Sequence, residues 1–107
     1  MQLVPDLDGR TALVTGSAQR VGRELLLTLA AAGADVAVHY NTSADAAEAT
    51  AADAREYGVS ATTVSADITD PAAVETLFDT VETELGSVDI LVNNVGNFDA
   101  RHWEDIE

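Results

Sequence analysis

Neither cysteine nor lysine occurs among the 107 residues of the chain. Without cysteine there is no disulfide framework and no thiolate chemistry, which fits a reducing compartment. Positive charge is equally scarce. Five basic residues, all arginine, stand against 19 acidic ones, a net charge of −14. A surface of that sign repels phosphate backbones and anionic headgroups, so neither nucleic acid nor a membrane is expected as a partner. Nor is there an apolar run near the roughly 20 residues that span a bilayer. Met1-Gln2-Leu3-Val4-Pro5-Asp6 has no basic region followed by an apolar stretch, so no secretory signal is read and the expected location is cytoplasmic.

What is present is an ordinary hydrophobic fraction of 47%, enough to build one α/β core in a chain too short for two domains. The pattern is strand then helix, three times, then a fourth strand. Candidate strands are Thr11–Thr15, Asp35–His39, Ala61–Ala66 and Val88–Asn93, short and rich in apolar or β-branched residues. Helices are expected over about Arg20–Ala32, Ser43–Tyr57 and Pro71–Leu85, each followed by a glycine, Gly33, Gly58 or Gly86, where a left-handed residue ends a helix. In the third, Thr69-Asp70 supplies a cap, Pro71 suits the first position, and Val74, Leu77, Phe78, Val81 and Leu85 share one face. The second is alanine-rich and is expected to pack closely on the sheet. Such alternation predicts a doubly wound parallel sheet of order 3-2-1-4, with a ligand crevice above strands 1 and 4, where the order reverses.

Four stretches converge on the carboxyl edge of that sheet. In Thr15-Gly16-Ser17-Ala18-Gln19-Arg20-Val21-Gly22, Gly16 lets the chain leave strand 1 sharply and Gly22 lets the helix approach closely. The helix N-terminus so formed suits a phosphate, although many α/β units use such a turn and bind nothing. After strand 2 come His39-Tyr40-Asn41-Thr42-Ser43, with no carboxylate. An NAD site typically places an acidic residue there for the ribose 2′-hydroxyl, so its absence, with Arg20 in the opening turn, favours NADP. The same residues also suit a plain loop with Ser43 as a helix cap. After strand 3, Asp67 can accept from an adenine amino group beside Ile68, or act as a turn residue. After strand 4, Asn93-Asn94-Val95-Gly96 offers paired amides for neighbouring backbone and a glycine where the chain can pass close to a ligand.

In this order and at these spacings the residues resemble the short-chain dehydrogenase/reductase family, from Asp8-Gly9-Arg10 through the TGxxxGxG turn and Asp67 to the NNAG motif. The resemblance implies a Rossmann-type fold and hydride transfer between a nicotinamide cofactor and a carbonyl, alcohol or pterin-like small molecule. It assigns Gly16, Ser17, Arg20, Val21 and Gly22 to the diphosphate turn, Asn41, Thr42 and Ser43 to the 2′-phosphate loop, with His39 and Tyr40 just before it also counted as cofactor-binding, Asp67 and Ile68 to adenine, and Asn93, Asn94, Val95 and Gly96 to the adenosine ribose and the sheet. Arg20 replaces the family's usual middle glycine and Val95 its alanine. That arginine with His39-Tyr40 is similar to the pteridine reductase branch, whose members use NADPH. Gln19 and Thr42 depart from that branch, which has basic residues at both positions.

The family's catalytic serine and Tyr-x-x-x-Lys are not matched, and a chain without lysine holds no such motif. Tyr40 and Tyr57 lie in the cofactor half. Residues 1–107 are therefore expected to be the amino-terminal half of one NAD(P)-binding domain from a reductase of about 250 residues, inactive alone and associating with a carboxyl-terminal half or as a homo-oligomer. The alternative is a non-catalytic nucleotide-binding module that assembles through the exposed edge of strand 4. Phe98 is read as pocket wall or loop packing, and His102-Trp103 as part of a helix over residues 101–107 rather than a metal site. The acidity points to a salt-rich cytoplasm, with an acidic mesophilic protein as the other reading. On the halophilic reading, melting midpoints measured across a salt series rise steadily toward molar salt; an unchanged midpoint sinks it.

Overall fold

The computed structural model describes residues 6–94, which form four strands and three helices in strict alternation. The elements are β1 Thr11–Val14, α1 Arg20–Ala31, β2 Asp35–Tyr40, α2 Ala44–Arg55, β3 Ala61–Ser65, α3 Pro71–Leu85 and β4 Ile90–Val92. All strand pairs are parallel and the order is β3-β2-β1-β4, the Rossmann-type arrangement expected from the sequence. Val95, Gly96, Phe98 and the residue 101–107 helix lie outside the described residues.

Side chains alternate between the two faces of the sheet. Ala12, Val14, Val36 and Val38 point to one face, where they pack with Leu26 and Ala30 of α1 and Ala47, Ala51 and Ala54 of α2. Leu13, Ala37 and Val64 point to the other, against Leu77 and Val81 of α3. Both faces of β1 and β2 are thus covered, which is why they read as continuous apolar runs. The alanine stripe of α2 lets its backbone lie close to β2 and β3. α3 packs over β3 and β2, while β4 is a short edge strand with Leu91 48% exposed.

Local chemistry explains the helix ends. Asp70 accepts from the Ala72 N–H at 3.0 Å, and Pro71 follows it in the first turn of α3. α2 stops at Arg55, two residues before the expected end, because its last turn tightens: Tyr57 N–H bonds to Ala54 C=O and Gly58 N–H to Arg55 C=O, three residues back. Gly33, Gly58 and Gly86 all have positive φ, as their places after the helices required. β4 is shorter than Val88–Asn93, yet backbone bonds continue at either end, from Asp89 N–H to Thr11 C=O and from Thr15 N–H to Val92 C=O, both 2.9 Å. The Asp89 carboxylate adds a second tie by accepting from Thr11 N–H at 2.9 Å.

Replacing the α3 cap, Asp70→Ala, is expected to cost about 1 kcal/mol and lower the melting midpoint by about 4–8 °C. An unchanged midpoint in thermal denaturation would show that the cap is dispensable.

Candidate functional site

A cleft of about 1280 Å³ opens along the carboxyl edge of the sheet. Its upper wall is polar, formed by the β1–α1 turn, the end of β2, the β3–α3 loop and the residues after β4. Its lower wall is apolar, with Leu13, Val74, Leu77, Phe78 and Leu91. Every described residue named from the sequence lines this cleft except Ser17 and Gly22.

The β1–α1 turn is the part of the polar wall that positions α1. An ideal Cβ placed on Gly22 would run into the Gly16 carbonyl oxygen and sit 2.6 Å from Asn94 Nδ2. The missing side chain therefore lets the first turn of α1 rest on the backbone leaving β1 and brings Asn94 against both. Arg20 has φ 59, the described non-glycine residue with positive φ. It occupies the left-handed region that a glycine would enter freely and that costs an L-residue roughly 1–2 kcal/mol. α1 also lacks the capping devices of its neighbours. Gln19 at the N-cap makes no side-chain capping bond and the first turn has no acidic residue, whereas α3 has Asp70 and α2 has Asp45. Its positive end and first N–H groups remain open to an anion from outside.

Ser17 and His39 bond to each other and to neighbouring strand ends. Ser17 is fully buried. Its Oγ accepts from the His39 N–H at 3.1 Å and its own N–H donates to the His39 carbonyl at 3.0 Å, so both groups hold β2 rather than face a ligand. The His39 ring, on a residue 3% exposed, accepts from the Gly16 N–H at Nδ1 over 2.9 Å and faces the Ala66 carbonyl oxygen through Nε2 over 2.8 Å. It ties the ends of β1, β2 and β3 together. Burial lowers its pKa below the ordinary histidine value, more than the bond to Ala66 raises it. The sequence placed Ser17 in the opening turn and His39 at the end of strand 2, and their side-chain directions follow from strand pairing.

The remaining residues face the cleft more directly. Asn41 and Thr42 are exposed and Tyr40 and Ser43 half-buried. Ser43 takes the N-cap position of α2 but makes no capping bond, so its hydroxyl is left to the cleft. Asp67 is a turn residue and still available to a ligand. Thr69 Oγ1 and the Thr69 N–H both donate to its Oδ1, at 2.6 and 2.9 Å, which leaves Oδ2 open. The hydroxyl bond first, then the backbone bond, holds this carboxyl below its ordinary pKa. Thr15, absent from the sequence-derived site, organises the far side. Its Oγ1 accepts from the Asn94 N–H at 2.8 Å and lies 3.4 Å from both the Val92 carbonyl and Asn93 Oδ1. A hydroxyl ending β1 beside the paired asparagines was the available signal.

The model of the family described as short chain dehydrogenase matches residues 10–107. The chain belongs to the short-chain dehydrogenase/reductase family. It is 39% identical over 102 residues to a short-chain type dehydrogenase/reductase of Picea abies, covering 90% of this chain and 38% of that protein. To the 3-oxoacyl-[acyl-carrier-protein] reductase FabG of Staphylococcus aureus it is 33% identical over 105 residues, covering 91% of this chain and 43% of the enzyme. A short chain dehydrogenase from Burkholderia cenocepacia J2315, solved in complex with NADP, superimposes with a TM-score of 0.82 at 44% identity, over 89% of this chain and 39% of that one. The chain thus spans about two fifths of the length of these short-chain dehydrogenase/reductase relatives.

Gly22→Ala is expected to cost about 1–3 kcal/mol through overpacking, because the Gly16 carbonyl is backbone and cannot swing aside. Chemical denaturation reads the loss directly; a variant as stable as the wild type would disprove the close approach.

Proposed function

We propose that this chain is the cofactor-gripping half of an NADP(H)-dependent oxidoreductase acting on a small carbonyl, alcohol or pterin-like substrate. The observation that carries the reading is the pairing of an uncapped, carboxylate-free α1 N-terminus with a β2 end, Tyr40 to Ser43, that also lacks a carboxylate. The diphosphate is assigned to the first N–H groups of α1, where the helix dipole favours negative charge. The Gly16 and Ser17 N–H groups are already occupied by His39, so they are left out of that assignment.

Arg20 shares the cleft with Tyr40, Asn41, Thr42 and Ser43. A guanidinium with neutral donors around it suits a 2′-phosphate, which an acidic residue at the end of β2 would repel. Asp67 Oδ2 and half-buried Ile68 suit the adenine amino group and ring. Asn93 and Asn94, which line the same cleft, are assigned to the adenosine ribose. NADPH supplies a hydride when bound. The chain's own part is to bind and orient the nucleotide, since it has no lysine to complete a Tyr-x-x-x-Lys motif. The NADP-bound Burkholderia structure supports the choice of cofactor.

The exposed Leu91 on edge strand β4 supports a second element of the reading. An unpaired apolar edge suits a further strand, from a carboxyl-terminal half or another copy of the chain.

Calorimetric titration should find NADP+ bound more tightly than NAD+. Arg20→Gly is expected to weaken NADP+ by about 10- to 100-fold with little change for NAD+. The same substitution relieves the left-handed strain, so unfolding free energy stays level or rises by up to about 1 kcal/mol. Equal affinity for both nucleotides would defeat the 2′-phosphate assignment, and turnover of a carbonyl or pterin substrate by this chain alone would defeat the division into a binding and a catalytic half.

A further inference from the structure

His39 stands apart among the described ionisable side chains because its residue is enclosed, at 3% exposed. Both ring nitrogens meet main-chain atoms of loops that border the cleft. Nδ1 lies 2.9 Å from the Gly16 nitrogen and Nε2 lies 2.8 Å from the Ala66 carbonyl oxygen. An amide N–H can only donate and a carbonyl can only accept, so these two partners admit one form of the ring: neutral, with its proton on Nε2. Adding a proton at Nδ1 would set two donors face to face with no acceptor between them, on a side chain largely buried from water.

The two bonds join segments with separate tasks. Gly16 begins the β1–α1 turn, and its carbonyl is the atom on which Gly22 and the first turn of α1 rest. Ala66 directly follows β3 and immediately precedes Asp67 and Ile68. The ring therefore sets the distance between the turn assigned to the diphosphate and the loop assigned to adenine. We propose that His39 is a positioning residue whose neutral ring clamps these two loops in register, so that its protonation opens the clamp and weakens nucleotide binding. The proposal rests on the cofactor reading of this cleft.

The surroundings leave the clamp to the ring itself. From β1 and its turn the residue meets Gly16 and Ser17, and from β3 it meets Ala66. α3 contributes Pro71, Val74 and Leu77 to the same cleft, and the stretch after β4 contributes Asn93 and Asn94; none of these is ionisable. Asp67 carries the adjacent carboxylate, and its Oδ1 is held by Thr69. Arg20 and Tyr40 are the other ionisable groups lining the cleft. Enclosure lowers the pKa of His39 below its ordinary value, so the clamp is closed at neutral pH and opens as pH falls below that range. The sign is that of a group protonated more readily when its contacts are broken: loop closure and nucleotide affinity are full above the transition and lost below it.

The test titrates NADP+ into the full chain by calorimetry between about pH 8 and 5, using wild type, His39→Asn and His39→Gln. Ring 15N shifts and Gly16 amide exchange are followed by NMR on the same wild-type chain. Asparagine keeps an acceptor toward Gly16 and glutamine a donor toward Ala66, and neither titrates. Wild-type affinity is expected to fall by up to about tenfold per pH unit below the His39 midpoint. The variants should retain only the slope from the nucleotide's own 2′-phosphate, which all three proteins share. Gly16 amide exchange in the wild type should accelerate in step with ring protonation. Parallel wild-type and variant profiles would overturn the proposal, as would Gly16 exchange that ignores the ring titration. A wild-type chain that binds no NADP+ at any pH would overturn the cofactor reading, and Gly16 exchange alone would then decide whether the clamp exists.

Discussion

The contact on which the rest of the site depends is between the first turn of α1 and the backbone that leaves β1. Gly22 has no side chain, so the helix comes down onto the Gly16 carbonyl and the Asn94 amide reaches the same spot. A Cβ at that position would lift the helix end away from the carboxyl edge of β1. With the helix seated, its uncapped N-terminus faces into the cleft, and the loops after β2, β3 and β4 can be placed around it.

Those loops are held by buried polar groups, each with a partner. Ser17 and His39 exchange backbone and side-chain bonds, the His39 ring reaches Gly16 and Ala66, and Thr15 gathers the residues after β4. No buried side-chain nitrogen or oxygen among the described residues lacks a hydrogen bond. Such a network costs little once satisfied and much when broken, because an unpaired polar group would be left away from water. The site is therefore stiff where strands end and open where a ligand would lie. Arg20 is a local exception, a charged residue in a left-handed conformation. That strain sits in the cleft, and the nucleotide reading gives it a purpose.

Much of the fold was legible in the sequence. Helix and strand periods, the Asp70-Pro71 start and the glycines after each helix located all seven elements to within a residue or two. Of the candidate site, the loops that border the cleft were legible because each follows a strand at its carboxyl end. The individual roles of Ser17 and His39 were not. A histidine and a serine at strand ends are chemically suited to a ligand, and only strand pairing brings the two into contact with each other. Thr15 went unassigned for the same reason, since its partners lie near residue 94, far along the chain.

The amino-acid sequence by itself determined the alternation of elements, the parallel order and the type of site, because these follow from local period, turn chemistry and motif spacing. It also determined that the chain carries no lysine for a Tyr-x-x-x-Lys pair. The tertiary structure alone decided which donors and acceptors at the cleft are already paired. Gly16 and Ser17 N–H groups are taken up by His39, while no side chain caps the first turn of α1, Ser43 makes no capping bond, and Thr69 bonds only one oxygen of Asp67. The physical reason is that a hydrogen bond depends on distance and direction between atoms that folding brings together, and residue type specifies neither.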